Sequence, residues 1–442
     1  MMMPWALLLP LGLLLACAGW LRRAHAQAPP ELRPWLLPAL AARLAATATA
    51  TYWPSQDAQH ASTEGRLIAG RLVAHPSQAL TLLQQPRFYQ SLTDNGQEAY
   101  RWSQTLFFDK LVAVVDLFGG GTWWLSAWWF SLGCFVGCWS LVVALRRALP
   151  QAPPQAAGLA FLLWPTVLWW TGALNKETVL VGASAGVVAL VLPHLYGGAW
   201  PPRPVGLLPS FRAGNWPRWL GQVLLGLLLA WVMTRVRYFF ALPLLGGLVA
   251  LAGVRAATRR GWLGARWPFQ VSGLLLGLGL LLGVAKALGG ELLKNSYFVS
   301  EVNLNYYHGL ATSGGRPHIE YARWQPTVPG LLARAPQAVV ETLTRPWLGE
   351  AAWPQYVGAG LENALLTGLV LLALLAAMRG RPGPLPVALV AVLVLYCLLL
   401  AAFIGLSTPN LGTLNRYRAV LLPWLLWLVL SSRSPGPRER SR

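Results

Sequence analysis

Long apolar stretches alternate with short Arg-bearing loops along most of this chain. Thr122–Leu145 is followed by Arg146-Arg147, Tyr238–Val254 by Arg255, Arg259 and Arg260, and Leu361–Met378 by Arg379 and Arg381. A helix that crosses a bilayer needs about 20 mainly apolar residues. The pattern predicts spans at Met3–Trp20, Thr122–Leu145, Ala156–Ala173, Thr178–Leu195, Trp219–Thr234 and Tyr238–Val254. Further spans are expected at Phe269–Leu288, Leu361–Met378, Leu385–Leu406 and Ala419–Ser432. The expected fold is therefore an all-α polytopic membrane protein with about ten transmembrane helices, the shorter ones at the low end of spanning length.

Charge then orients the spans. Basic loops stay on the cytoplasmic side. A cytoplasmic N-terminus puts the loops 146–155, 196–218, 255–268 and 379–384 and the tail 433–442 inside, and these are the Arg-rich, nearly acid-free segments. Two large segments, 21–121 and 289–360, are left on the outer face. The expected divisions are a first helix at 1–20, an outer segment at 21–121, a transmembrane core at 122–288, a second outer segment at 289–360, C-terminal helices at 361–432 and a cytoplasmic tail at 433–442. Within the first outer segment, Thr105–Phe118 is amphipathic and can lie along a membrane surface. The tail is rich in Pro, Ser and Arg and is expected to be disordered. Ala24-His25-Ala26 fits a signal-peptidase site. However, Arg22-Arg23 separates it from the apolar run and no basic region precedes that run, so a retained first helix is expected.

Composition narrows the classes. Hydrophobic residues make up 55% and charged residues 11%, about half the charged share of a soluble domain. The net charge of +20 would suggest nucleic acid in a soluble protein. Here the Arg flanks apolar spans, so topology and anionic lipid account for it and no nucleic-acid partner is expected. Many of the 24 Trp fall near span ends, as interfacial belts require. Cys17, Cys134, Cys138 and Cys397 all lie in apolar spans. Cys134 and Cys138 share a helix face, but no His or third Cys stands near them, so they read as small packing residues and not as a zinc site. No metal signature and no Gly-rich phosphate loop occurs.

Chemistry must sit where polar residues meet the membrane. Asn175-Lys176-Glu177 forms a short outward turn that opens a helix, where Glu177 is favoured by the helix dipole. A cap with a snorkelling Lys is one reading of it, and a functional buried charge is the other. Arg235, Arg237 and Tyr238 occupy the next outward turn, and Arg416, Tyr417 and Arg418 the last. Outward Arg defies the positive-inside trend, and Arg suits bidentate phosphate binding. The phosphate can belong to a lipid-linked substrate or to ordinary headgroups. Asp57, in Tyr52-Trp-Pro-Ser-Gln-Asp57-Ala-Gln-His60, is a carboxylate soon after the first helix. It reads as a general base for a sugar hydroxyl or as a loop or cap Asp.

This order of parts resembles the integral-membrane glycosyltransferases of the GT-C fold. Members of that family have a first helix, a long outer segment with a catalytic acid, a second acid at the next outer turn, and many further helices. Asp57 matches the first position and Glu177 the second, with Lys176 beside it. The family's adjacent acidic pair is absent, since Asp57 is flanked by Gln56 and Ala58. The resemblance implies that Arg235, Arg237, Arg416 and Arg418 bind a polyprenyl-phosphate donor. Thr342-Leu-Thr-Arg345-Pro346-Trp347-Leu-Gly-Glu350 and Asn410-Leu-Gly-Thr-Leu-Asn-Arg416-Tyr417-Arg418 are also similar to membrane proteins of bacterial polysaccharide loci, some of them repeat-unit polymerases. That resemblance implies a functional Arg345; an interfacial aromatic and Pro turn is the other reading.

The expected function is sugar transfer from a polyprenyl-phosphate-linked donor to an acceptor on the outer face of a bacterial inner membrane. Asp57, Glu177 and Lys176 would be catalytic. Arg235, Arg237, Tyr238, Arg345, Arg416, Tyr417 and Arg418 would hold substrate. A divalent cation is left open as cofactor. The alternatives are a repeat-unit polymerase and a transporter or structural membrane protein. A transporter should show inverted repeats and broken, ionisable mid-span segments, and no internal repeat is evident.

Overall fold

The structure, a computed structural model, describes residues 5–84, 104–119, 122–197, 218–287, 294–381 and 383–432. The expected disordered tail at 433–442, the loop at 198–217 and Glu291 lie outside the described residues. Among the described residues the chain is all-helical, with a single isolated β-bridge between His318 and Asn410. The helices run in chain order as α1 (Trp5–Gln27), α2 (Arg33–Tyr52), α3 (Gln56–Ala74), α4 (Ala79–Gln84), α5 (Gln104–Gly119) and α6 (Trp123–Ala148). They continue with α7 (Pro154–Gly158), α8 (Pro165–Gly172), α9 (Lys176–Tyr196), α10 (Arg218–Arg259), α11 (Trp267–Ala287) and α12 (Asn295–Ala311). The last are α13 (Val328–Thr344), α14 (Pro354–Met378), α15 (Val387–Ser407), α16 (Leu411–Arg418) and α17 (Leu422–Ser431).

By length and composition, 6 of these helices can cross a membrane: α6, α9, α10 from Trp219, α11, α14 and α15. Pro154–Leu163 and Leu422–Ser431 are shorter apolar helices. The protein is thus an all-α, multi-pass membrane protein. α11 shows what faces lipid: of its residues only Leu274 is buried, while Leu275, Leu276, Leu280 and Leu282 are exposed. In water such an apolar face would be an aggregation liability.

Two helical stretches differ from the sequence reading. The stretch expected as one span at Ala156–Ala173 is broken. α7 runs into a π-turn at Leu159–Leu163, and Trp164 is extended (φ −64°, ψ 127°) before α8 begins. The cause is Pro165, whose ring disfavours helical backbone at the preceding residue. Conversely, the spans expected on either side of Arg235 appear as one 42-residue element, α10, interrupted by non-helical backbone at Arg237 (φ −159°, ψ 93°). A straight helix of that length would reach about 60 Å, twice the hydrocarbon thickness of a bilayer.

The chain divides into two compact units. The first comprises 1–148 and 168–241. Its membrane core is the pair α6 and α9, which approach through small residues. Gly137 faces the Gly182 carbonyl, and a Cβ on Gly182 would lie 2.7 Å from Cys134 Cα. Small residues permit the close backbone approach that packs helices in lipid. Cys134 and Cys138 serve this seam, their sulfurs 4.0 Å apart. α3 starts at an N-cap, where Ser55 Oγ accepts from Ala58 N at 3.2 Å. It packs on α5 at Gly65, where a Cβ would lie 2.6 Å from Val112 Cγ1. Ala58, Ala61, Phe108 and Val112 form the core between them. The amphipathic stretch in α5 therefore packs against α3 and α6 inside this unit.

The second unit comprises 149–167 and 242–442. Its centre is apolar and aromatic. Trp424 of α17 meets Phe161 edge-on at 4.9 Å and Tyr396 of α15 at 6.4 Å. α13 is capped by Thr327 Oγ1, which accepts from Gly330 N at 3.2 Å, and ends at Arg345, before Pro346. It lies on α15 at Gly405, which faces the Ala338 carbonyl so closely that no side chain fits.

Candidate functional site

The first unit gathers charge on α3, α5, α9 and the kinked middle of α10. Glu64 points inward from α3 with 2% exposure, because Gly65 lets α3 lie tightly on α5. Asp109 of α5 is 4% exposed, and its Oδ1 has no hydrogen-bond partner among the described residues. Burial pushes the Asp109 carboxyl up to about 7. The positive charge of Lys176 opposes that rise and the Glu64 carboxylate adds to it. Buried carboxylates tuned in this way are what acid–base chemistry near neutrality requires.

Lys176 is the cation that acts on Asp109, and further cations lie in the same unit. Lys176 opens α9 and donates from Nζ to Thr105 Oγ1 at 2.8 Å. Glu177, its neighbour, is 2% exposed and pairs with Arg237 Nη2 at 3.6 Å. Arg237 also lies 5.2 Å from the Phe240 ring centre. Lys110 donates from Nζ to the Leu83 carbonyl at 2.8 Å. Its ammonium is pushed down to about 8, first by burial and then by the like charge of Arg235. Arg235 rests over Phe107, 5.2 Å from the ring centre, and Phe107 meets Trp231 edge-on. Two neighbouring cations beside an aromatic wall suit an anionic group such as a phosphate. Tyr238 is buried against Phe239.

A fourth buried acid, Asp116, lies two helical turns from Asp109 on α5. It accepts a short hydrogen bond from Ser126 of α6, and its carboxyl is raised by burial. Asp57 is placed differently. It is exposed in the first turn of α3, where a negative charge is favoured by the helix dipole.

No family model, curated protein or solved structure matches the chain. The chemistry therefore rests on the residues alone.

The remaining residues singled out in the sequence lie in the second unit, and there the charges are engaged internally. Arg345 donates to both Glu350 Oε1, at 2.7 Å from Nε and closer from Nη2, and the His318 carbonyl at 3.1 Å. It also pairs with Glu341 at 3.4 Å and covers Trp347. The Arg345–Pro346 peptide is cis, and Asn363 Nδ2 donates to the Pro346 carbonyl at 2.9 Å. Arg418 is 0% exposed. It donates to the carbonyls of Thr342 at 3.3 Å and Arg345 at 3.0 Å and to Asn415 Oδ1 at 2.6 Å. Burial pushes it down to about 10, against the pull of Glu362. These two Arg side chains hold the end of α13 and the following turn to α16. Arg416 lies over Tyr417 at 5.0 Å.

Sequence reading thus named Lys176, Glu177, Arg235 and Arg237 but passed over Asp109 and Glu64 as acids of the outer segment. The available signal was Asp109, Lys110 and Asp116 in the otherwise apolar run Leu106–Phe118, since charge on an apolar helix face is seldom idle. For a divalent cation the donors do not fit. Among the described residues no three His, Cys, Asp or Glu side chains converge, and the Glu64–Asp109 pair faces an ammonium.

Proposed function

We propose that this protein is a membrane glycosyltransferase that moves a sugar from a polyprenyl-phosphate donor to an acceptor hydroxyl on the outer face of a bacterial inner membrane. The reading takes about ten spans, with 21–121 and 289–360 outside, from the Arg distribution. The single observation that carries it is Asp109: a buried carboxyl with an unpartnered oxygen, poised near pH 7, with the Lys176 ammonium and the Glu64 carboxylate as its charged neighbours.

In this reaction the acceptor hydroxyl gives its proton to Asp109 as its oxygen attacks the anomeric carbon. The bond from that carbon to the phosphate oxygen breaks, and the polyprenyl phosphate leaves with the electron pair. Lys110, Arg235 and Arg237 stabilise the charge that develops on the phosphate. Glu64 and Lys176 set the proton affinity of Asp109, and Glu177 holds Arg237. Asp57 is the competing base. The polymerase reading leans on Arg345 and Arg418, whose donors are directed at internal acceptors, and this favours the transferase.

The test is the lipid-linked pool of cells deleted for the protein. Accumulation of a polyprenyl monophosphate sugar, relieved by the intact gene, is expected. Accumulation of a pyrophosphate-linked oligosaccharide repeat would replace this reading with the polymerase, and an unchanged pool would sink both.

A further inference from the structure

The second unit contains a cavity that no step above uses. It measures about 430 Å³ and is lined by Asn295, Ser296, Val299, Ser300 and Asn303 of α12, with Pro326 and Val328 at the start of α13. The volume falls within the roughly 300–1,000 Å³ of small-ligand pockets. The α12 residues recur at helical spacing, so they form one stripe.

The lining identifies the ligand class. None of the lining residues carries a charge, and Lys286, at the edge, is engaged through Nζ with Asn295 Oδ1 at 3.4 Å, so the wall itself offers a phosphate, a carboxylate or an ammonium no counter-charge. Two amides and two hydroxyls supply both donors and acceptors, and the intervening Val and Pro supply apolar contact. Alternating hydroxyls and C–H faces are what a sugar ring presents. The wall is built for fixed geometry. Trp324 donates from Nε1 to Asn303 Oδ1 at 2.9 Å and stacks on Tyr306 at 4.2 Å. The Tyr306 hydroxyl oxygen in turn accepts from Tyr321 N at 3.1 Å. Because Oδ1 of Asn303 is taken by Trp324, the amide orientation is set and Nδ2 is left to serve a ligand.

We propose that this cleft binds an uncharged saccharide. As a saccharide site the cleft stands whether or not the transferase reading holds. Full-length protein in nanodiscs would be photo-crosslinked with diazirine-bearing neutral trisaccharides of glucose, galactose, mannose and N-acetylglucosamine, and the adducts mapped by mass spectrometry. Adducts at 295–303 and 326–328 with at least one probe are expected, competed by the unlabelled sugar. Asn303→Asp keeps an acceptor for Trp324 but removes the amide donor, and Ser300→Val removes a hydroxyl at nearly constant shape. Each should cut labelling roughly fivefold, the value of one hydrogen bond, with thermal stability retained. No probe labelling this segment, equal competition by a trigalacturonate or by an alkyl-chain detergent, or full labelling of both variants would overturn the cleft. Sugar transfer is followed in parallel. Labelling without any transferase activity supports the cleft while the transferase reading fails.

Discussion

Both units bury charge, but they use it differently. In the second unit the guanidinium of Arg345 is met by two carboxylates and a carbonyl, and that of Arg418 by two carbonyls and an amide oxygen, with Arg418 Nε and Glu362 Oε1 left as the atoms without a hydrogen-bond partner among these groups. In the first unit Asp109 leaves an oxygen unpartnered, and two cations, Lys110 and Arg235, lie near enough to repel. A buried charge whose partners are in place stabilises one arrangement, and removing either side is destabilising. A buried charge left partly unmatched is held there by the surrounding fold, and such groups concentrate where chemistry occurs. The contrast assigns architecture to Arg345 and Arg418 and reaction to Asp109 and its neighbours.

Several substitutions sharpen or break that contrast. The largest effect is expected at Asp109→Asn, which keeps shape and removes the base. Transfer should fall by about 10²–10⁴-fold, while Asp57→Asn, at an exposed helix start, should stay within about threefold. The reverse ranking, at matched membrane expression, would move the base to Asp57. Next is Arg345→Met. It leaves Glu341 and Glu350 partly buried without their cation and should cost about 3–5 kcal/mol of stability, read as loss of folded protein in a detergent thermal-shift assay. A stable variant would dissolve the distinction between the units. Gly405→Val, pressed against the Ala338 carbonyl, should destabilise by about 1–3 kcal/mol, with transfer by the folded fraction unchanged. Arg235→Gln should raise the donor concentration needed for half-maximal rate by roughly tenfold, as one charge-assisted phosphate contact is lost, with little change in melting.

The smallest effect is on stability. A carboxyl whose folded pKa lies above its unfolded value holds its proton more tightly when folded. Its contribution is therefore present at low pH and is lost as pH rises from about 4 towards 7. Wild-type protein should lose roughly 2–4 °C relative to Asp109→Asn between pH 5 and pH 8, for about 3 kcal/mol of linkage. Equal slopes for the two proteins would place the Asp109 pKa in the ordinary range.

The apolar spans were legible because length and composition determine them: α6, α9, α11 and α15 lie within a few residues of where hydropathy put them, and α14 ends where expected but begins seven residues earlier, at Pro354. The break at Trp164 was also written in the sequence, in Pro165, but an apolar window averages over it. The site was legible only where charge stands out locally, as at Lys176-Glu177 and Arg235-x-Arg237. Asp57 drew attention because polar and aromatic residues surround it and it follows the first helix. Asp109 was hidden because its burial depends on Gly65 of α3 and its proton affinity on Glu64 and Lys176, which arrive from distant parts of the chain. The fate of Arg345 and Arg418 was hidden for the same reason, since Glu350, Thr342 and Asn415 become their partners only on folding.

The central claim is that Asp109 accepts the proton in the first unit, and the pH dependence of transfer tests it most directly. The groups whose charge acts on Asp109 are Glu64 from α3 and Lys176 from α9. Transfer by the wild type should rise with pH through a single ionisation near 7, as the carboxyl becomes a base. Glu64→Gln removes the negative neighbour and should move that midpoint to lower pH, and Lys176→Met removes the positive one and should move it higher. A midpoint in the ordinary carboxylate range, or one that neither substitution moves, would contradict the assignment.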